Sequence, residues 1–218
     1  MGVNRILLLR HGQTANNAQL RIQGTQDTPL NDVGFEQARQ VARELNSFAI
    51  TRIISSDLQR ALSTAQAVGD ITGLAVETDQ RLRERGYGMW EGMTSAEIHA
   101  AYPQAWEKWR AGIEPDVAGV QTRDANGLSV AQAIEEYVQW AQADDEDHIL
   151  LFVSHGSAIV NGVTKLMGQN PSEWTMLHGP DNCHWAELVI RPNSHPQYRV
   201  KSWNRWKFSA GTLVSSSQ

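Results

Sequence analysis

Two distant segments of this chain repeat one pattern: Leu7-Leu8-Leu9-Arg10-His11-Gly12 and Leu151-Phe152-Val153-Ser154-His155-Gly156 each run apolar stretch, polar residue, His, Gly. A short continuous apolar run closed by such a turn suits a strand buried on both faces, and such strands belong to sheets covered by helices. Helical spacing follows in Phe35, Ala38, Val41, Ala42, Leu45 and Phe48, and again in Ala61, Leu62, Ala65 and Val68. Alternation of buried strands with amphipathic helices predicts the α/β class.

The same reading places strands over 3–9, 52–55, 74–77, 148–153, 185–190 and 198–203. Helices are expected after the turn residues 31–34, from near Leu58 with Ser56 or Asp57 as cap, over 130–141 and over 160–167. Ile98, Tyr102, Trp106 and Trp109 predict helices broken at Pro103, and 112–127 reads as a long loop of the kind that forms lids. Residues 144–147 read as an acidic solvated turn. No repeat or linker divides the 218 residues, so one domain spanning 1–218 is expected, with a helical cap or lid insertion around 94–127.

Charge excludes some functions. Nineteen Lys and Arg against 24 Asp and Glu give a net charge of −5, which lacks the basic footprint of nucleic-acid or anionic-membrane binding. No stretch approaches the ~18 apolar residues of a membrane helix, and the apolar run 6–9 is too short for a signal peptide core. The one cysteine, Cys183, excludes an internal disulfide framework and a Cys-rich zinc module, and fits a reducing, cytoplasmic compartment. Any anion must therefore be met by a few placed cations.

Three strand exits supply them. Ligands of open α/β sheets collect outside the carboxyl ends of strands, and a Gly after each His lets the chain turn sharply and a ligand approach the backbone. If the two apolar strands are neighbours, His11 and His155 face each other. The third exit, 53–60, puts Arg60 in the first turn of a helix, where the dipole disfavours a cation unless an anion sits beside it. Singly, these are a turn after a strand or a solvated surface Arg. Together, two guanidinium forks and two imidazoles fit the three non-bridging oxygens of a phosphoryl group.

Leu8-Leu9-Arg10-His11-Gly12-Gln13-Thr14 with Asn17, then Gln23-Gly24 and Asp27-Thr28-Pro29-Leu30, resembles the opening of the histidine phosphatase superfamily. Ser55-Ser56-Asp57-Leu58-Gln59-Arg60-Ala61, Leu82-Arg83-Glu84-Arg85, Gly88-Met89-Trp90-Glu91-Gly92 and Val153-Ser154-His155-Gly156 match its later blocks in order. The resemblance implies a three-layer αβα sandwich around a mostly parallel sheet, and hydrolysis of a small phosphomonoester through a phosphohistidine intermediate. It implies His11 as nucleophile, with Arg10, Arg60 and His155 on the phosphoryl oxygens. Glu84 would be the acid that later activates water, and Asn17 and Gln23 secondary phosphate contacts. The ordinary alternatives are a surface carboxylate among Arg81, Arg83 and Arg85 for Glu84, and turn or cap roles for Asn17 and Gln23. No metal or other cofactor is implied.

Within the superfamily, 27–30 and 90–92 lean towards the phosphatases. A cofactor-dependent phosphoglycerate mutase is the alternative, against which stand Asn16 in place of a Trp and a lid with only the separated Arg110 and Arg123. A non-catalytic phosphate-recognition protein on the same fold is the alternative of another class. Asn182, Trp185 and Ser202-Trp203-Asn204 resemble the actinobacterial branch acting on glucosyl-3-phosphoglycerate, from which Asn126-Gly127-Leu128-Ser129 departs by lacking a Glu. Trp106 and Trp109, three apart beside the lid, are expected either to pack or to form an aromatic wall for a sugar. A homodimer is expected by resemblance, with 203–207 as interface or core cap.

Overall fold

The computed structural model describes residues 5–117, 119–143, 146–192 and 194–206. Strands β1 (Arg5–Arg10), β2 (Arg52–Ser55), β3 (Val76–Thr78), β4 (Ile149–Ser154), β5 (Trp185–Ile190) and β6 (Tyr198–Arg205) form one sheet in the order β3-β2-β4-β1-β5-β6. The β3-β2-β4-β1 run is parallel, while β5 and β6 extend it antiparallel. Arg10 stands opposite Ser154, and Ser55 opposite Val153, so the three exits read from the sequence lie side by side. The predicted strand at 3–9 begins within the described residues at Arg5, and positions 3 and 4 lie outside them, as do 144, 145 and everything from 207 onward.

The helices are α1 (Ala15–Ala18), α2 (Asp32–Leu45), α3 (Gln59–Thr72), α4 (Ser95–Ala101), α5 (Pro103–Arg110), α6 (Arg123–Ala141) and α7 (Gly156–Leu166). Successive residues of β1 serve opposite layers: Ile6 and Leu8 join Val130, Ile134, Ile159 and Val163 of α6 and α7. Leu7 and Leu9 join Val41, Leu45, Ala65 and Val68 of α2 and α3. All four β1 side chains are buried, each contributing about 1.5–3 kcal/mol over an exposed one. A slip of one residue would exchange the faces, so this burial fixes the register that places Arg10 and His11 at the strand exit.

The chain between β3 and α6 forms a cap. Pro103 does break the predicted helical stretch, as the first residue of α5. Tyr87, Trp90 and Ile98 bury together there, with Tyr102, Trp106 and Trp109 packed against them. Among the described residues no helix is long and apolar enough to cross a membrane.

Several helix starts differ from expectation. The predicted loop at 112–127 ends early, because α6 starts at Arg123: the Thr122 side chain accepts from the Ala125 N–H, and Asp124 occupies the first turn. Asn126 and Gly127, read as loop residues, are buried helix residues against α7. Asn161 donates to Asn126 Oδ1 at 3.0 Å, and a Cβ at Gly127 would stand 2.7 Å from the Asn161 carbonyl oxygen. The loop therefore ends at 122, not 127. Helix α7 starts at Gly156 instead of 160, and α2 at Asp32, with Asn31 capping Gly34 N–H. Neither Ser56 nor Asp57 is the side-chain cap of α3: Asp27 Oδ1 accepts from Gln59 N–H at 2.7 Å, while Asp57 pairs with Arg83.

The contact at Gly127 gives a stability test. Gly127→Ala forces α6 from α7 and lowers stability by about 1–3 kcal/mol despite the better helix propensity of Ala. A lower urea midpoint with an unchanged m-value is the expected result.

Candidate active site

Arg10 ends β1 and His11 follows it, while His155 stands at the N-cap position of α7, directly after the last residue of β4. The two imidazoles face each other with centroids 5.1 Å apart, as adjacent parallel strands require. Gly12 is needed for a reason other than the expected one. A Cβ there would lie 2.5 Å from the Gly34 carbonyl oxygen, so the close approach is to α2 rather than to a ligand. At Gly156 a Cβ would meet only the Arg10 guanidinium, at 3.6 Å, an ordinary contact.

His11 is fixed by its own turn. Its Nδ1 lies 2.7 Å from the Gly12 carbonyl oxygen, which can only accept, so Nδ1 carries the hydrogen and Nε2 of the neutral ring is bare. Burial, reinforced by Arg10 and Arg60, holds the His11 pKa well below the usual value.

Arg60, the second residue of α3, is wholly buried. It donates to the Gln26 carbonyl at 2.6 Å, to the Gly24 carbonyl at 2.8 Å and, through Nε, to His155 Nδ1 at 3.2 Å. An arginine N–H always donates, so His155 Nδ1 is bare and Nε2–H points to Ser56 Oγ at 2.8 Å. Both ring nitrogens of His155 are thus engaged, and the ring backs Arg60. Burial first, then Arg60, lowers its pKa well below the ordinary value. Arg10 donates to the Pro180 carbonyl at 2.6 Å, and its buried Nε has no partner among the described residues.

Glu84 is not a carboxylate lost among arginines. Each neighbouring Arg has another anion: Arg81 takes Asp79 and Glu136, Arg83 takes Asp57, and Arg85 takes Glu114. The Glu84 oxygens instead accept the N–H groups of Arg85, Ser157 and Ala158 at 2.8–3.1 Å, which pins the carboxylate at the N-terminus of α7. Asn17 accepts from Thr14 N–H through Oδ1 in a capping box, and Gln23 Oε1 accepts from Thr14 Oγ. The cap role expected of Asn17 is thus seen, and the NH₂ ends of both amides are left without a partner among the described residues.

A cavity of about 170 Å³ is lined by Arg10, His11, Asn17, Gln23, Arg60 and Glu84 among others. It continues into a larger one of about 700 Å³, with Arg10, Glu84, Tyr87, Trp109 and Ser157 lining both. The arrangement can hold an anion, present a bare imidazole nitrogen to it, and keep a carboxylate alongside. Sequence reading did not single out Tyr87 or Ser157, which share a 2.8 Å hydrogen bond, or Ser56 behind His155. The two cap tryptophans, read together from the sequence, both pack on the Tyr87, Trp90 and Ile98 cluster; Trp109 also lines both cavities, whereas Trp106 lies against Trp109 and His99.

The imidazoles set a pH dependence. Unfolded histidines take up protons below about pH 6.5 while His11 and His155 in the folded chain do not, so stability falls as pH drops through that range. His11→Gln removes one such ring. Its pH–stability curve between pH 6.5 and 5, from urea titrations, is expected to be shallower by up to ~1.4 kcal/mol per pH unit.

Known proteins resemble this chain in sequence and in structure. The family model of the histidine phosphatase superfamily (branch 1) matches residues 6–205. A glucosyl-3-phosphoglycerate phosphatase of Mycolicibacterium vanbaalenii is 37% identical over 216 residues, covering 94% of this chain and 96% of the relative. One of Mycobacterium tuberculosis is 37% identical and covers 99% of each chain. A mycobacterial glucosyl-3-phosphoglycerate phosphatase solved in complex with VO3 superposes with a TM-score of 0.82 at 35% identity, over 92% of this chain and 99% of that one. A Yersinia pestis protein named "Probable phosphoglycerate mutase" is 33% identical over 75% of each chain. On the family match and on sequence and structural likeness alike, this chain belongs to branch 1 of the histidine phosphatase superfamily and is an enzyme of the phosphatase kind.

Proposed function

We propose that this phosphatase hydrolyses glucosyl-3-phosphoglycerate through a phosphohistidine intermediate at His11. The observation that carries the chemistry is the bare Nε2 of a neutral, buried imidazole set beside a buried guanidinium, Arg60, and a half-buried one, Arg10, neither of which makes an ion pair among the described residues. Nε2 attacks phosphorus, the bond from phosphorus to the leaving oxygen breaks, and Glu84 gives that oxygen a proton. Glu84 then takes a proton from water, the hydroxide attacks phosphorus, and the N–P bond breaks to restore neutral His11. Arg10 and Arg60 hold the equatorial oxygens, where most of the acceleration of phosphoryl transfer arises. Donors from Asn17 and Gln23 complete the cradle. His155 acts first as a positioning residue that orients Arg60, in place of the direct oxygen contact expected from the motif.

The substrate rests on two supports. The full-length relatives carry that name. Of the arginines that line the larger cavity, Arg85 and Arg123 pair with Glu114, while Arg10 and Arg110 make no ion pair among the described residues and suit a phosphomonoester bearing a second anionic group. A cytoplasmic location and a homodimer belong to the same reading. The Yersinia relative favours phosphoglycerate mutase as a second reading.

A phosphate-release panel decides between them. Release from glucosyl-3-phosphoglycerate supports the proposal, whereas interconversion of phosphoglycerate isomers in the presence of the bisphosphate supports the mutase. His11→Ala should abolish both phosphate release and the acid-labile phosphoenzyme seen on rapid quench. Glu84→Gln is expected to lower kcat by about 10²–10⁴ on alkyl phosphates. It should lower kcat much less on p-nitrophenyl phosphate, whose leaving group needs no proton. Equal losses on both substrates would remove Glu84 from the acid role.

A further inference from the structure

The larger cavity contains a side chain that packing does not explain. Of the eight tryptophans, seven have a ring or hydrogen-bond partner. Trp109 meets Trp90 edge-on and Trp106 at a tilt, Trp140 lies under Arg52, and Trp185 meets Phe48. Trp203 donates to the His178 carbonyl, and Trp206 stacks on His184. Trp174 has neither kind of partner for its indole among the described residues, and it joins none of the three hydrophobic clusters. Only its backbone is engaged, with the N–H donating to the Asn170 carbonyl at 2.9 Å. Yet the residue is half-buried, in the wall of the cavity that opens from the phosphate pocket.

We infer that Trp174 is a specificity-determining residue that stacks on the pyranose ring of the substrate; this rests on the proposed phosphatase reading. A large aromatic face held in a cavity wall without a protein partner retains that face for a ligand, and a pyranose offers an apolar C–H face of matching size. Trp109 shares the cavity but is already held by Trp90 and Trp106, so it shapes the wall. Arg10 and Arg110, the lining arginines without an ion pair among the described residues, suit the anionic part of the ligand. Ring and anion thus have separate contacts. The shared lining of the two cavities lets one molecule reach both Trp174 and His11.

The test compares wild type, Trp174→Ala and Trp174→Phe on glucosyl-3-phosphoglycerate, 3-phosphoglycerate and phosphoserine. Trp174→Ala should lose about tenfold in kcat/KM on the glucosylated ester, mainly through KM. Its values for the two ringless esters should stay within about twofold of wild type, and Trp174→Phe should keep most of the preference. A Trp174→Ala enzyme that keeps the wild-type preference overturns the stacking role and leaves the substrate reading standing. Equal losses on all three esters overturn it too, as those of a structural residue. A wild type without preference for the glucosylated ester is a different result, overturning the substrate reading and the ring subsite together.

Discussion

Arg10 and Arg60 are largely buried, with no ion pair among the described residues, and that requirement shapes the surrounding chain. An isolated buried charge is too costly unless its donors are met. Backbone carbonyls meet most of them here: Gly24 and Gln26 serve Arg60, and Pro180 serves Arg10, whose Nε alone stays without a partner among the described residues. Carbonyls satisfy donors without neutralising charge, so the pocket keeps its positive field for an anion. The same field, with burial, keeps His11 unprotonated. Attractive site and competent nucleophile thus follow from one arrangement.

The loop that serves Arg60 is itself anchored at several points. Glu91 accepts from the N–H groups of Thr25 and Tyr87, and Asp27 caps α3 through Gln59. Gly24 has a positive φ of 54° and sits where a Cβ would overlap the Glu91 carboxylate. The short motifs 23–24, 27–30 and 88–92 are therefore one structure, a brace that turns two carbonyls toward a guanidinium.

The sheet and its strand exits were legible because buried parallel strands leave continuous apolar runs, and the residues closing them are few in type. Helix starts were less so. Asn126 and Gly127 signal a loop by composition, but close packing on α7 overrode that signal. Capping of α3 by Asp27 joins residues far apart in sequence, which no local pattern records. The motif carried Glu84, yet its freedom from Arg81, Arg83 and Arg85 rested on partners in other elements. His155 was placed correctly, while its contact with Arg60 depended on ring orientation. Trp174 escaped notice because the segment around it has no periodicity at all.

Glu84 and His155 are both referred to helix α7, one through the Ser157 and Ala158 N–H groups and the other as its N-cap residue. The opposite partners, Arg10 and His11, are set by the strand against which β4 pairs. The part of the cap built from α4 and α5 supplies none of these anchors. Its helices α4 and α5 can change length or composition while the reacting groups stay in register, so the scaffold separates what is recognised from what is done to it. Selection for a new metabolite can then work on the cap and on the 171–179 segment without rebuilding the chemistry.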